Sequence, residues 1–385
     1  MEEKAAEPAI RFAEFAGAWE QRKLGDAVQV CSGKDYKHLS EGDIPVYGTG
    51  GYMLSVNDAL SYKDDAVGIG RKGTIDKPFI LKAPFWTVDT LFYAIPKKSF
   101  SLDFIYAIFQ KIDWESKDES TGVPSLSKFT IENCGIVTPG EKEQKSIGEF
   151  FNHIDTLLTL HQRKYEKLLN IKKSMLEKMF PKEGEVVPEI RFKGFTGAWE
   201  ERKLGDIADI TGGGTPSTSN NDYWDGIINW YSPAEISNQI FLNSSQRKIT
   251  ELGYSSCSAK MLPRGTVLFT SRAGIGKTAI LSAEGCTNQG FQSIVPHANE
   301  LDSYFIFSRT HELKKYGEVV GAGSTFVEVS GKQMAAMTLM MPPKFNEQKM
   351  IGDFFKRLDS ILTLHQRKLE MLKNIKQAFL DKMFV

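Results

Sequence analysis

The stretch that most resembles a catalytic motif is AGIGKT at residues 273–278, since GKT closes the phosphate-binding loop of many nucleotide-binding enzymes. The first glycine of the full pattern, GxxxxGK(S/T), would stand at position 271, which is Ser271. Strand-forming residues also follow GKT, whereas a phosphate-binding loop leads into a helix. We therefore predict a turn between two strands here and no ATP site.

Other catalytic signatures are also missing. VGIGRKG at 67–73 lacks both the GxGxxG spacing of dinucleotide-binding loops and a following helix. The sequence contains no GxSxG, no HExxH and no methyltransferase tetrapeptide of the NPPF kind. Its four cysteines are scattered, without a CxxC pair or a histidine at metal-ligand spacing, so we expect reduced, buried thiols. The sequence predicts neither a catalytic centre nor a metal site.

A different chemistry is available in polar loops that lie beside aromatic residues. Arg, Asn, Gln, Ser and Thr side chains contact phosphates and read base edges, so these loops are candidates for nucleic-acid contact. Taken singly, such residues are more typical of ordinary loops, and the neighbouring glycines are also explained by turns alone. The candidates are Lys34, Lys37, Tyr47, Thr49, Tyr52, Arg71 and Lys72 in the first half, and Thr215, Ser217, Asn220, Asn221, Tyr223, Trp224, Arg272, Lys277, Asn288 and Gln289 in the second.

The charge balance limits how such loops could act. The 48 basic and 48 acidic residues give zero formal net charge, which argues against coating of nucleic acid by bulk electrostatics. A role on DNA would need local patches or a basic partner. The N-terminal MEEKAAEP is acidic, and no run approaches the roughly 18 apolar residues of a membrane span. We therefore expect a cytoplasmic protein without membrane contact.

The elements that must position these loops are duplicated. IRFAEFAGAWEQRKLGD at 10–26 returns at 190–206 with 13 of 17 positions identical, and the segment 143–180 returns at 347–384 with 24 of 38 identical. The heptapeptide LTLHQRK stands unchanged in both copies of the second segment. Repeats this long and this few indicate two structural halves and not a solenoid. The duplicated segments are retained in both halves, while the sequence between them varies.

The second duplicated segment predicts a long helix, because apolar residues recur at alternating steps of four and three over more than four heptads. Its 38 residues would span about 57 Å. Two such helices would most simply pair as an intramolecular coiled coil. The predicted seam contains Ile147, Phe151, Ile154, Leu158, His161 and Leu168 in the first copy, and Ile351, Phe355, Leu358, Leu362, His365 and Leu372 in the second.

Polar residues interrupt this seam at equivalent steps. We interpret His161 and His365 as residues that set the register, while a pH switch or a ligand site remains an alternative. Lys172 and Lys376 are expected to extend their ammonium groups toward water. The Lys and Arg surplus at 163–182 is typical of a solvated helix face, with a phosphate-binding stripe as the alternative.

The variable interiors read as strands and turns with short helices, one of them at 103–112, so each half is predicted to contain an α+β domain. DDAVGIGRKGTIDKPFIL (64–81) and GTVLFTSRAGIGKTAIL (265–281) share a strand, a glycine turn and a strand, which aligns Arg71 with Arg272. The predicted segments are a lead-in at 1–19, a first domain at 20–141, a long helix at 142–182, a repeated lead-in and linker at 183–199, a second domain at 200–345 and a second long helix at 346–385.

The sequence resembles the specificity subunit of type I restriction-modification systems over nearly its whole length. The resemblance rests on WEQRKLGD and WEERKLGD before the variable domains, on GGGTPSTSNNDYWDGIINW, on SRAGIG followed by TNQGF, and on the two long LTLHQRK segments. It implies two target-recognition domains, each reading half of a bipartite double-stranded DNA site, separated by two long helices in an antiparallel coiled coil. The first half departs from the pattern, because SGKDYKHLSEGDIPVYGTGG (32–51) replaces the GTPS loop.

The resemblance also implies partners. The helices would dock two methyltransferase subunits that carry S-adenosylmethionine, and a restriction subunit, where the system has one, would bring ATP and Mg²⁺. The chain itself would bind no cofactor and would act in a bacterial or archaeal cytoplasm. A coiled-coil scaffold that does not bind DNA would explain the helices but not two elaborate domains. A stand-alone enzyme is disfavoured by the missing motifs.

We predict that the purified chain, free of partners, has no methyltransferase, nuclease or ATPase activity. Its sequence offers no nucleotide site and no S-adenosylmethionine site. Calorimetric titration with S-adenosylmethionine should give no specific heat of binding, whereas saturable binding would contradict the prediction.

Overall fold

The computed structural model describes residues 7–237, 239–272, 274–322 and 328–385. Residues 1–6 of the predicted lead-in, Ala273 of the AGIGKT stretch and residues 323–327 of the second domain lie outside the described residues. The chain divides into two compact units. Unit 1 contains the described residues up to Lys164 together with His365–Val385, and unit 2 is Tyr165–Leu364. Each unit therefore holds one variable domain and one part of each long helix.

The helices alternate with short strands in both domains. In chain order they are α1 (Leu24–Ala27), α2 (Leu102–Lys111), α3 (Lys128–Glu132), α4 (Glu141–Lys178), α5 (Leu204–Ile207), α6 (Glu251–Ser255), α7 (Ser303–Ser308), α8 (Thr310–Gly321), α9 (Gly331–Ala336) and α10 (Phe345–Met383), with 3₁₀ turns at Glu115–Lys117, Asn221–Tyr223 and Pro233–Glu235. Within the described ranges, every helix is too short or too polar to cross a bilayer.

The strands of unit 1 form a four-stranded sheet, a three-stranded sheet and one two-stranded ribbon. They are β1 (Glu20–Lys23), β2 (Val28–Ser32), β3 (Glu41–Gly48), β4 (Gly51–Val56), β5 (Ala66–Gly70), β6 (Phe79–Leu81), β7 (Trp86–Thr87), β8 (Leu91–Pro96) and β9 (Gly135–Thr138). The spatial orders are β2-β8-β5-β6, β4-β3-β7 and β1-β9.

Unit 2 repeats this plan with an additional strand in its larger sheet. The strands are β10 (Glu200–Lys203), β11 (Ala208–Gly212), β12 (Trp224–Tyr231), β13 (Phe241–Leu242), β14 (Arg247–Ile249), β15 (Val267–Phe269), β16 (Thr278–Leu281), β17 (Cys286–Thr287), β18 (Gln292–Pro296) and β19 (Thr338–Met341). Their orders are β11-β18-β15-β16-β13, β14-β12-β17 and β10-β19. The predicted α+β class and the duplication are confirmed. The strand β16, which begins at Thr278 of GKT, also confirms the strand, turn and strand predicted there.

Each domain core forms between the larger sheet and several helices. In unit 1, all five residues of β5 (AVGIG) are buried, as expected of a strand covered on both faces. Helix α2 places Phe104, Ile105, Ile108 and Phe109 on one side, the spacing of an apolar helix face, and these residues are buried in the same cluster as the sheet. The helix predicted at 103–112 is thus present at Leu102–Lys111.

The lead-ins fasten the ends of the two long helices together within each unit. The Arg11 guanidinium donates two hydrogen bonds of 2.7 Å to the Glu143 carboxylate at the start of α4, while Ile10 N–H donates to Lys382 O at the end of α10. In unit 2, the Arg191 guanidinium donates hydrogen bonds of 2.6 and 2.8 Å to the Glu347 carboxylate, and Ile190 N–H donates to Lys178 O. Paired guanidinium–carboxylate bonds of this kind are strong and geometrically specific. The start of one helix thereby meets the end of the other, so the helices run antiparallel in each unit.

Aromatic residues at the helix ends complete both cores. In unit 1, Phe384 packs against Trp19, Phe104 and Phe151, with ring centroids 6.2, 5.7 and 5.8 Å apart. In unit 2, Phe180 packs against Trp199, Phe305 and Phe355 at 6.1, 5.6 and 6.1 Å. The two phenylalanines stand at equivalent positions of the repeat, which explains why both copies end in Met-Phe. Helix α4 ends at Lys178 because the conformation required before Pro181 is unfavourable for a helix.

The residues predicted for the helix seam are all buried or half-buried. The interpretation of the seam lysines was wrong, because both form ion pairs within their unit and do not extend toward water. Lys172 Nζ lies 2.5 Å from Asp359 Oδ1, and Lys376 pairs with Asp155. Asp359 also accepts a hydrogen bond of 2.9 Å from the Tyr304 hydroxyl. These equivalent pairs fix the register of the helices.

His161 and His365 are in contact within unit 1, with their Nδ1 atoms 2.8 Å apart. One ring must donate and the other must accept, so the contact requires at least one neutral imidazole. Desolvation, followed by the positive charges of His365, Lys368 and Lys164, lowers the pKa of His161. The lowered pKa of His161 favours the neutral imidazole that this contact requires.

Glycine lets α4 and α10 approach their domains closely. A Cβ atom on Gly148 would lie 2.8 Å from Phe104 N at the start of α2, and one on Gly352 would lie 2.4 Å from the Asp302 carboxylate that caps α7. Burial raises the pKa of Asp302 although Phe305 and Tyr304 N–H groups oppose the shift. The glycine inside each long helix thus lowers the helix propensity but permits close packing against the domain.

We predict that Gly148→Ala destabilises the protein. The higher helix propensity of alanine favours the variant by about 1 kcal/mol, but the overlap with the Phe104 backbone should cost more, for a net loss of about 1–3 kcal/mol. Thermal unfolding of the full chain measures the difference. Gly135→Ala is the matched control, because a Cβ there has open space around it. A raised melting midpoint for Gly148→Ala would show that propensity outweighs packing.

Candidate nucleic-acid interface

The polar loop of the second domain, residues 212–223, is fixed by close backbone packing at a glycine and by hydrogen bonds from two tryptophans. A Cβ on Gly213 would lie 2.1 Å from Asn288 O, so only glycine permits this approach to the loop after β17. The Trp230 and Trp224 indoles donate to Gly214 O at 2.8 Å and to Ser217 O at 3.1 Å. The GGGTPS sequence is therefore a rigidly supported loop.

Four predicted contact residues converge beside this loop. Thr215 Oγ1 donates to Gln289 Oε1 at 2.5 Å, and Arg272 Nη2 donates to Gln289 O at 2.7 Å. Arg272 also lies 3.3 Å from Glu328. Asn288 Oδ1 accepts from Gly290 N–H at 2.8 Å, which shapes the turn that carries Gln289. The result is one cluster of donors and acceptors at the edge of the domain.

The remaining second-domain candidates differ in exposure. Ser217, Asn221 and Lys277 are exposed, while Asn220 uses its side chain to accept from Asp222 N–H at 3.0 Å and Tyr223 is half-buried. Trp224 is only 7% exposed, and the Arg247 guanidinium covers its ring. Trp224 is poorly placed for the predicted contact with DNA, because the indole is buried and its N–H is already bonded. Trp224 positions its neighbours.

The first domain builds a similar support from a different sequence. A Cβ on Gly33 would lie 2.0 Å from Val88 O, and the Trp86 indole donates to Lys34 O at 2.9 Å. Gly33 and Gly213 thus have the same role, although SGKDYK and GGGTPS share little. The Lys34 and Lys37 side chains are exposed beside this support.

The aligned arginines make equivalent contacts in the two domains. Arg71 Nη1 donates to Asp89 O at 3.3 Å, as Arg272 donates to Gln289 O. The two acceptors occupy the same place, the loop that follows β7 in one domain and β17 in the other. Arg71 is exposed and lies 5.7 Å from the Phe92 ring centroid.

Aromatic candidates gather on the β3–β4 hairpin of the first domain. The Tyr47 ring centroid lies 6.4 Å from that of Tyr52 and 6.0 Å from that of Phe79. Thr49 Oγ1 approaches the Gly73 turn, where a Cβ would lie 4.0 Å away. Tyr52 is 63% exposed and presents its ring to solvent. The hairpin and the glycine turn therefore form one surface.

Sequence reasoning missed the loop Asp118–Ser125, which contacts the same glycine turn. Asp118 accepts hydrogen bonds of 2.9 Å from the N–H groups of Ser120 and Ser125, and these bonds lower its pKa. Gly73 N–H donates to Pro124 O, and the backbone of Lys72 forms an isolated antiparallel β-bridge with Ser125. The sequence STGVPSLSKFTIENCGIVTP at 120–139 can be aligned with GSTFVEVSGKQMAAMTLMMP at 323–342. This alignment was the available signal, but it did not indicate a long-range contact.

Burial disfavours ionisation of two potentially reactive groups, the Cys286 thiol and the Tyr231 phenol. Burial raises the pKa of Cys286 to about 12 and that of Tyr231 to about 12, so both are neutral at physiological pH. Among the residues that the structure describes, no three His, Cys, Asp or Glu side chains are grouped to hold a metal ion. The arrangement can offer hydrogen bonds and local positive charge.

Comparison with known proteins connects this arrangement to one family. The model of the type I restriction modification DNA specificity domain matches residues 17–170 and again 197–374. The MjaIX specificity subunit of Methanocaldococcus jannaschii is 32% identical over 190 residues, which cover 49% of this chain and 44% of that relative. The EcoR124I/EcoR124II specificity subunit of Escherichia coli is 27% identical over 173 residues, 43% of this chain and 42% of that relative. Each match thus spans less than half of the relative's length.

A solved structure shows that the fold extends over the whole chain. The crystal structure of the S subunit of a type I restriction-modification system from M. genitalium superposes with a TM-score of 0.73, and the match covers 98% of this chain and 99% of that one at 14% identity. At this identity, the similarity is evidence for the fold. Because the specificity-domain model matches both halves and covers most of the sequence, this chain belongs to the family of type I restriction-modification specificity subunits.

Proposed function

We propose that each variable domain reads one half of a bipartite double-stranded DNA site. The main observation behind this proposal is that the two domains hold their loops with the same contacts but expose different side chains on them. Gly33 and Gly213 make the same close approach in the two domains, and Arg71 and Arg272 donate to equivalent carbonyls. The side chains on top of these supports are different. An identical frame that presents different polar side chains is suited to reading two different half-sites.

The long helices would set the distance between the half-sites. Their register is fixed in each unit by an ion pair, Lys376 with Asp155 in unit 1 and Lys172 with Asp359 in unit 2. Buried or half-buried charges tolerate little sliding, because a displaced helix would leave a carboxylate without its partner. Two pseudo-equivalent domains joined by these helices would match two half-sites along a duplex.

The outer faces of the helices would dock the methyltransferase subunits. Unit 1 exposes Leu157 and Leu160 of α4, and unit 2 exposes Ile361 and Leu364 of α10 at the equivalent positions of the repeat, all at 44–51% exposure. Exposed apolar residues at a spacing of three along a helix are typical of a face that another helix covers. Two equivalent faces favour two methyltransferase subunits.

These partners would supply what the chain lacks. The methyltransferase subunits would bring S-adenosylmethionine and basic surface, which a reader with zero net charge needs for DNA affinity. A restriction subunit, in a system that has one, would bring ATP and Mg²⁺. A scaffold that does not bind DNA is disfavoured, since it would have no use for loops held by tryptophan N–H groups and close-packed glycines.

We predict that the domains are separable modules of specificity. Exchanging residues 27–141 for the equivalent segment of another family member should change one half of the methylated sequence and leave the other half and the spacer unchanged. Methylated adenines mapped in host DNA provide the measurement. The reciprocal exchange in the second domain is the matched control and should alter only the other half. If both half-sites changed together, the modular proposal would be wrong.

We predict that the helices act as a ruler. Inserting one heptad into both helices beside His161 and His365 preserves the seam and adds about 10 Å, or about three base pairs, to the spacer. The half-site sequences should remain the same while the preferred gap grows. Because one domain also rotates around the duplex by about three tenths of a turn, methylation-site mapping is more informative than binding to the original site.

A seven-residue insertion at Gly184 is the matched control for this experiment. Gly184 lies in an exposed turn after α4, so the same added length leaves both helices intact and the spacer should not change. A folded heptad variant, assembled with its methyltransferase, that still methylates the original spacing would exclude the helices as the ruler.

A further inference from the structure

A cluster of two tryptophans and one arginine stands beside the polar loop of the second domain. The Arg247 guanidinium carbon lies 3.6 Å from the Trp224 ring centroid and 6.0 Å from that of Trp230. The two indoles meet edge to face, with centroids 5.1 Å apart and an interplanar angle of 88°. Both rings are buried, at 7% and 5% exposure, whereas Arg247 is exposed.

The stack gives Arg247 an orientation that a surface arginine normally lacks. At 3.6 Å the guanidinium is in van der Waals contact with the ring, where cation–π attraction favours it. Among the residues that the structure describes, no carboxylate lies within ion-pair distance of Arg247. A planar guanidinium that stacks by its face still has its N–H donors at the edge, and these match the oxygens of a phosphate.

The same indoles connect Arg247 to the loop. Trp224 donates to Ser217 O and Trp230 donates to Gly214 O, so the loop and the arginine share one support. The loop sequence TGGGTPSTSNNDYWDG (211–226) contains two aspartates and no Lys or Arg. A loop of this composition can form hydrogen bonds to bases, but it cannot neutralise a DNA phosphate. The cation must come from outside the loop.

We propose that Arg247 is a phosphate-binding residue that anchors the second domain to the DNA backbone next to the bases met by its polar loop. The inference rests on the proposed function. Arg247 supplies the charge that the loop lacks, and Trp224 fixes the distance between the phosphate contact and the base contacts. Trp224 is a positioning residue for both.

The experiment measures DNA binding of the full chain, assembled with its methyltransferase subunit, over a range of salt concentrations. Arg247→Gln should weaken binding about tenfold, since the lost contact is a hydrogen bond to a charged group. The slope of log K against log salt should fall by about one, the contribution of a single phosphate. Arg247→Lys should keep the slope and lose part of the affinity, because it retains the charge without the planar stack. Methylation mapping should return an unchanged half-site for both variants.

Arg264→Ala is the matched control, because Arg264 is an exposed arginine of the same domain that lies beside Asp302 and Asp353 and not beside the loop. Its affinity and salt slope should equal those of the wild type. Wild-type affinity and slope in Arg247→Gln would overturn the proposal, as would a relaxed half-site sequence in either variant, which would identify a base contact. If Arg247→Gln does not fold, a lowered salt slope in Arg247→Lys would overturn it. Absence of site-specific binding by the wild-type complex would instead contradict the proposed function.

Discussion

The constraint on which the structure depends is that neither domain completes its core with its own residues. Phe384 at the end of α10 fills the space between Trp19 and Phe104 of the first domain, and Phe180 at the end of α4 does the same for Trp199 and Phe305 of the second. Burying one phenylalanine contributes about 1.5–3 kcal/mol. Each long helix therefore holds its far end in a hydrophobic core, and the lead-in arginines close the junction with a carboxylate from the other helix.

The sequence carried enough information for the architecture, because the repeat and the heptad pattern are local properties. The alignment of Arg71 with Arg272 also predicted positions that make equivalent hydrogen bonds. The partners of Lys172 and Lys376 could not be predicted, since the aspartates that pair with them lie about two hundred residues away and are indistinguishable from surface carboxylates in a periodic pattern. Burial of Trp224 was missed for the same reason. A tryptophan in a polar loop suggests stacking on a ligand until the arginine that covers it is located.

The candidate nucleic-acid interfaces of the two domains are built so that their exposed side chains can vary without loss of the fold. The groups that fix each loop are backbone carbonyls, glycine Cα atoms and indole N–H groups, and none of these depends on the identity of the exposed side chains. Gly33 and Gly213 tolerate no Cβ, whereas Ser217 and Asn221, which follow Gly213 in the second-domain loop, have exposed side chains. Substitution at the exposed positions should therefore cost little stability, because surface changes away from buried polar groups are usually small in effect.

The division of the chain into a contiguous unit 2 and a discontinuous unit 1 affects the order of events during translation. Residues of unit 2 leave the ribosome as one uninterrupted stretch, so its core can close while the chain is still growing. Unit 1 begins with the first domain, but its core includes Phe384. Trp19 therefore packs against a residue that is synthesised more than three hundred positions later. Since domains generally fold as they emerge and long-range closure carries an entropic cost, we expect the first of these two domains to be completed after the second. Until then, the first domain leaves uncovered the core surface of Trp19, Phe104 and Phe151 against which Phe384 packs.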